Sequence, residues 1–173
     1  PESHEAHHEI LLRLQDEKGD MIRPNAFIAA AERYSLMPSI DRWVVQNALA
    51  LLGDRMSSNQ QIGVFAINLS AQSLDDENFL SFVIDQFDKT SVPASHICFE
   101  ITESTAISNL MSATRFMSIL RGMGCKFALD DFGRGFSSYG YLKNLQIDYL
   151  KIDGSFVRDL ANDPVDLAMV ESI

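Results

Sequence analysis

The sequence predicts an α/β fold in which parallel strands alternate with helices and curl into a barrel. Three observations predict it. Apolar strand-like runs alternate with amphipathic helix-like runs through the chain. From VFAINLS onward the strands start about 20 to 30 residues apart, room for one crossover helix each. Finally, each strand has one bulky apolar face and one face of small or polar residues, with a polar group near its C-terminal end. An open doubly wound sheet is the competing geometry, but its strands read apolar on both faces.

The elements follow in order. HHEILLRL (7–14) reads as a strand and QDEKGD (15–20) as a turn. Pro24 opens the Ala-rich amphipathic helix PNAFIAAAERY, where proline is tolerated in the first turn. DRWVVQNALALLGDRM (41–56) is a second helix with Asp41 as its N-cap and Trp43 packing against its neighbours. VFAINLS (64–70) is a strand, DENFLSFVIDQFDKT (76–90) a helix and HICFEIT (96–102) a strand. NLMSATRFMSILRGMG (109–124) is a helix stopped by glycines, and KFALDD (126–131) a strand. FSSYGYLKNL (136–145) starts as a helix with a serine-rich entrance, and DYLKID (148–153) is a strand. The chain closes in the helical stretch SFVRDLANDPVDLAMVESI.

Side chains alternate across a strand. Phe65, Ile67 and Leu69 therefore oppose Ala66 and Asn68, and Ile97, Phe99 and Ile101 oppose Cys98 and Glu100. Phe127 and Leu129 oppose Ala128 and Asp130, while Leu150 and Ile152 oppose Tyr149 and Lys151. In the first strand Glu9, Leu11 and Arg13 share one face. Buried charges without partners cost several kcal/mol each, so these groups must converge, and strands whose C-termini ring one site achieve that. Asp131, at the strand end, is free of the pleat and can turn elsewhere.

The 173 residues are 46% hydrophobic, enough for one domain with a core. Lys+Arg 14 against Asp+Glu 24 gives a formal net charge of −10, which repels nucleic acid polymers and anionic membranes. Cys98 and Cys125 lie in apolar runs without a spacing pattern, as expected of small core residues in a reducing, cytoplasmic compartment. No run approaches the length of a membrane-spanning helix.

Glu9, Asn68, Glu100, Asp130 and Asp131 are all oxygen donors and suit Mg²⁺ or Mn²⁺. They are too many for one ion, which points to two, the arrangement that clamps a phosphodiester for in-line attack. Lys151 can orient the attacking water or offset phosphate charge. HEAHH (4–8) matches the His-Glu-x-x-His pattern of zinc proteases, but that motif needs a helix and here runs into a strand. The glycines of GRG (133–135) suit the hinges of a mobile loop.

EILLR (9–13), INLS (67–70), EITES (100–104), DDFGRGFSS (130–138) and LKIDGSFV (150–157) together resemble the EAL domain family, the cyclic di-GMP phosphodiesterases, over essentially the whole chain. The resemblance implies a (β/α)₈ barrel of the TIM type and hydrolysis of cyclic di-GMP to linear pGpG with two Mg²⁺ or Mn²⁺ ions. It implies that Glu9, Asn68, Glu100, Asp130 and Asp131 bind metal and that Lys151 sits beside the nucleophilic water. Arg13 then contacts a phosphate, Leu11 lies near the guanine, and Glu103 anchors the loop after the paired aspartates. A homodimer is implied too, as is a diguanylate cyclase or sensor domain in the same parent chain.

Measured against the family, residues 1–173 read as a partial domain, the C-terminal part of a larger signalling protein. The family's first strand is expected before Pro1. The last two strand–helix units, with a further metal-binding glutamate and a glutamine, are expected after Ile173. The signature triplet is Glu9-Ile10-Leu11 rather than Glu-Ala-Leu, and Arg134 stands where a small residue or Thr is usual. The alternative within the family is a receptor domain that binds the nucleotide without cutting it. A pure protein-interaction module explains neither the converging carboxylates nor the loop.

Overall fold

The computed structural model describes residues 6–58, 60, 62–134, 139–158 and 160–171. Strand β1 (His7–Ile10) is followed by a two-stranded antiparallel hairpin, β2 (Leu14–Gln15) and β3 (Met21–Ile22). Asp16 Oδ1 accepts from the backbone N–H groups of Lys18 and Asp20, and Gly19 takes φ +88°, closing the hairpin turn. Helices α1 (Pro24–Arg33) and α2 (Met37–Ser57) lead to β4 (Val64–Asn68). Then come α3 (Ala71–Asp75), α4 (Phe79–Thr90), a 3-10 turn at Ala94–His96 and β5 (Ile97–Thr102). Helices α5 (Glu103–Ser108) and α6 (Leu110–Met123) precede β6 (Lys126–Phe132). A 3-10 segment (Tyr139–Asn144), β7 (Tyr149–Ile152), α7 (Gly154–Arg158) and α8 (Pro164–Glu171) complete the order.

The main sheet is parallel, in the order β1-β4-β5-β6-β7. Each new strand adds beside the last, without the reversal of strand order that marks a doubly wound sheet. The sheet curls until its two outer strands face each other. The rings of His7 on β1 and Tyr149 on β7 lie 5.2 Å apart, and Lys151 Nζ on β7 is 3.9 Å from Glu9 Oε2 on β1. The described strands thus form part of a barrel wall, with helices outside.

Strand alternation sorts the side chains as expected. Phe65, Ile67, Phe99, Ile101, Phe127 and Leu129 point outward into a core with helix residues such as Leu49 and Leu52 (α2), Val83 (α4) and Met117 and Leu120 (α6). Phe116 stacks on Phe79 and packs edge-on to Phe99 and Phe127, joining two helices to two strands. The inner face is made of the small residues Val64, Cys98 and Ala128, with Ala66 and Tyr149 beside them. Helix α6 stops where Gly124 takes φ +109°. Cys98 and Cys125 are buried and unpaired, and burial pushes both thiols up to about 12.

Several local expectations are corrected. The first strand ends at Ile10, not at residue 14, because the chain leaves the sheet to build the hairpin. Helix α2 starts at Met37, with Pro38 in its first turn, so Asp41 lies inside the helix and is not its N-cap. Trp43 is 57% exposed rather than packed. The segment after the paired aspartates forms a 3-10 turn over Tyr139–Asn144, and the C-terminal stretch is two helices. The short helices α3 and α5 were not anticipated; Ser70 and Thr102 each cap one by accepting a backbone N–H three residues on. His4, Gly135 and the serine entrance lie outside the described residues. His7 and His8 sit on β1, the strand context that excludes the helical zinc motif. Among the described residues no helix is long and apolar enough to cross a membrane.

Candidate functional site

Polar groups gather at the C-terminal ends of the parallel strands. Lys151 Nζ lies 2.6 Å from Glu100 Oε2, 3.1 Å from Asp130 Oδ2 and 3.9 Å from Glu9 Oε2. Asn68 Nδ2 donates to Glu9 Oε1 at 2.9 Å. Strands β1, β4, β5, β6 and β7 thus contribute one group each, and the ladder explains why. Glu9 pairs with Ala66, Asn68 with Glu100, and Thr102 with Asp130, so inward-facing positions lie at matching heights.

Asp131 departs from that pattern for a visible reason. The pairing of β6 with β7 shifts between Leu129 and Phe132, leaving one extra residue on β6. Asp131 adopts φ +53°, a left-handed conformation that aspartate tolerates better than most residues. Such a bulge re-aims a side chain. Asp130 keeps the inward direction, and its Oδ1 accepts from the Asp131 N–H at 2.9 Å. Burial and the adjacent charge of Asp130 push the Asp131 carboxyl up; the Asp131 side chain hydrogen-bonds Asp153, and the nearby Arg134 charge opposes the rise.

Glu103 sits away from Lys151, at the start of α5, and is 3% exposed. One carboxylate oxygen accepts the Gly133 N–H at 3.0 Å and the other accepts the Tyr141 hydroxyl, so Glu103 holds both sides of the loop after Asp131. Gly133 takes φ +95° with a Phe156 ring carbon 3.0 Å from where a Cβ would stand, so a larger residue there would be strained and would crowd that ring. Leu11 and Arg13 follow the end of β1, and their positions do not come from strand alternation. Both line a cavity of about 450 Å³ together with Asn68, Glu100 and Thr102. Leu11 is 55% exposed, and Arg13 Nη1 donates to the Leu12 carbonyl at 2.9 Å.

The electrostatics are uneven. Burial pushes the Glu100 carboxyl above its ordinary range; Lys151 opposes this, and the charges of Glu9 and Asp130 reinforce it. Burial alone would pull the Lys151 ammonium down, but its bonds to Glu100 and Asp130 outweigh that and hold it above its usual value. Because the folded-state pKa of Glu100 is raised, its contribution to stability is fully present below the unfolded value and is lost as pH rises through the folded one. In EDTA, the stability of the protein relative to its Glu100→Gln variant is therefore expected to grow as pH falls from about 7 toward the carboxylate's ordinary value. Urea melts across that range measure the gap; one that does not change with pH refutes the assignment.

Three carboxylates face one ammonium, the Asn68 carboxamide bonds one of them, and Asp131 lies next in the chain to another. The donor set is all oxygen and carries excess negative charge, which fits a hard divalent cation. Among the described residues no three acidic, histidine or cysteine side chains are grouped as a ready metal site. The carboxylates of Glu9, Glu100 and Asp130 are instead drawn to the Lys151 ammonium. Sequence reasoning missed Tyr141, which shares Glu103 with the loop, and Asp41, a buried carboxylate beside Ser70. Tyr141 carried no signal. Asp41 carried a misleading one, since aspartate before an apolar run reads as a cap.

The sequence matches the EAL domain family over residues 2–173. It is 46% identical over 168 residues to the cyclic di-GMP phosphodiesterase PdeB of Shewanella oneidensis, an alignment covering 95% of this chain and 19% of that protein. It is 38% identical over 169 residues to the cyclic di-GMP phosphodiesterase PdeF of Escherichia coli, covering 98% of this chain and 22% of that protein. The chain thus spans about a fifth of the length of these curated relatives. Among solved structures, the PaMucR phosphodiesterase in complex with c-di-GMP superimposes with a TM-score of 0.87 at 33% identity, covering 95% of this chain and 67% of that one. With sequence, strand order and superposition in agreement, this chain is a portion of a TIM-type barrel and belongs to the EAL domain family.

Proposed function

We propose that this chain is the catalytic domain of a metal-dependent phosphodiesterase that hydrolyses cyclic di-GMP to linear pGpG. The observation that carries the reading is the approach of Glu9, Glu100 and Asp130, from three parallel strands, to one Lys151 ammonium at the C-terminal end of a curled sheet. The names of the two relatives described above, both cyclic di-GMP phosphodiesterases, support the substrate.

Glu9, Asn68, Glu100, Asp130 and Asp131 would hold two Mg²⁺ or Mn²⁺ ions. When bound, such ions polarise a phosphodiester and lower the pKa of the attacking water. Lys151 orients that water and offsets charge on the phosphoryl oxygens. Arg13 contacts a phosphate, and Leu11 packs beside a guanine at the mouth of the cavity. Glu103 holds the loop that follows Asp131. Water adds to phosphorus as one ester P–O bond breaks, and the released ribose oxygen takes up a proton. A homodimer, and a diguanylate cyclase or sensor domain in the same parent chain, complete the proposal.

Incubating the full-length protein with cyclic di-GMP and Mn²⁺, with products separated chromatographically, tests it. pGpG is the expected product. Binding without pGpG at saturating metal would overturn the enzyme and identify a receptor domain.

A further inference from the structure

Asp41 is a carboxylate where the helix would ordinarily bury an apolar side chain. It lies on α2 on the face that buries Val45, Ala48, Leu49 and Leu52, and it is itself 3% exposed. Its Oδ2 accepts three hydrogen bonds, from the Ser70 backbone N–H at 3.0 Å, the Ser70 hydroxyl at 2.7 Å and the Ser73 hydroxyl at 2.6 Å. No ion pair to Asp41 occurs among the described residues, and the adjacent Arg42 turns to Asp76 at 2.7 Å. Burial pushes the Asp41 carboxyl up despite the three donors. Burying a carboxylate is costly. Bonds to a charged acceptor are shorter and stronger than neutral ones, and three on one oxygen tie the helix firmly to what it holds.

What it holds begins two residues past Asn68. Strand β4 ends at Asn68, the Leu69 N–H bonds the Glu100 carbonyl at 2.9 Å, and Ser70 caps α3. Asn68 therefore lies between the β4–β5 ladder on one side and the Ser70 contact to Asp41 on the other. The Asn68 carboxamide in turn donates to Glu9 Oε1 at 2.9 Å.

We propose that Asp41 is a positioning residue: acting through Ser70, it sets the end of β4 and so aims the Asn68 carboxamide at Glu9. Its consequence for metal binding rests on the reading of the site given above. Outer partners that orient metal ligands typically carry ten- to hundredfold in affinity.

The experiment compares the full-length protein with its Asp41→Asn variant in three measurements: thermal unfolding, Mn²⁺ titration without nucleotide followed by electron paramagnetic resonance, and the Asn68 side-chain amide signals of asparagine-labelled protein. Asp41→Asn is expected to unfold cooperatively, bind Mn²⁺ roughly ten- to hundredfold more weakly, and show displaced Asn68 amide signals. A lower melting temperature with unchanged Mn²⁺ affinity and unchanged Asn68 signals would overturn the inference and leave Asp41 as a simple staple. If Asp41→Asn does not fold, Ser70→Ala decides: Asp41 keeps its bonds to the Ser70 N–H and the Ser73 hydroxyl, while the Ser70 hydroxyl bond and the α3 cap are removed. Displaced Asn68 signals and severalfold weaker Mn²⁺ binding then support the inference, and unchanged values overturn it. A wild-type protein that binds no Mn²⁺ overturns the metal reading alone, and the Asn68 signals then decide the role of Asp41 by themselves.

Discussion

Glu9→Ala is expected to abolish phosphodiesterase turnover while leaving the fold intact. Glu9 stands one residue before the end of β1, its side chain is 39% exposed, and its contacts are the Asn68 carboxamide at 2.9 Å and Lys151 at 3.9 Å. Exposed pairs of this kind contribute about 0–1 kcal/mol to stability. The melting temperature should therefore shift by only a few degrees. Losing one carboxylate from a two-ion site removes several kcal/mol of transition-state stabilisation, and each 1.36 kcal/mol is tenfold in rate. The expected fall in kcat is thus at least about a thousandfold. Steady-state kinetics alongside circular dichroism separates the two effects. Turnover within tenfold of wild type would show that Glu9 is not a catalytic ligand, and loss of helical signal would show that it is structural.

Lys151→Met is expected to act on stability and turnover together. Lys151 is the only cation among the described residues within 4 Å of Glu100, whose side chain is 6% exposed. Breaking a buried pair costs about 3–5 kcal/mol. Lys151 is 35% exposed, so solvent screening reduces that to about 2 kcal/mol. Its folded-state pKa is raised, so while the facing carboxylates are ionised this stabilisation is present below the unfolded lysine value, and it is lost as pH rises through the folded one. At neutral pH the metal-free variant should therefore melt about 4–8 °C lower. Added Mn²⁺ should restore most of that loss, because a cation that binds only the folded state stabilises it by mass action. Turnover should stay at least about a hundredfold down, the usual worth of a positioned proton-handling group. An unchanged metal-free melting temperature would show that Lys151 does not hold these carboxylates. Recovered turnover would remove it from the proposed mechanism.

Loop control by Glu103 follows from its contacts. A buried carboxylate shared between Gly133 and Tyr141 couples α5 to the segment beside Asp131. That geometry lets changes at the helix reach the bulge at Asp131 without touching Asp130. Arg134 sits in the same segment, exposed, and its charge acts on both Asp131 and Asp153.

The strands were legible because β alternation is a strict period of two. Phe65, Ile67, Phe99, Ile101, Phe127 and Leu129 announce the helix-facing side, and with them the inward direction of Asn68, Glu100 and Asp130. The length of β1 was not legible, because Leu11 and Arg13 keep the alternation after the chain has turned into the hairpin. Asp41 was misread for a similar reason. A local cap rule applied to it, while Pro38 had already opened the helix one turn earlier.

The sequence by itself determined the α/β class, the inward row of polar groups and the family resemblance, because each depends on residue order and on neighbours two to four positions away. Only the tertiary structure decided that Asp131 turns at a bulge, that Glu103 grips Gly133 and Tyr141, and that Asp41 reaches Ser70 and Ser73. Those contacts join residues 29 to 38 positions apart or depend on strand pairing. Their distances are set by how helices pack against the curled sheet, which no local period encodes.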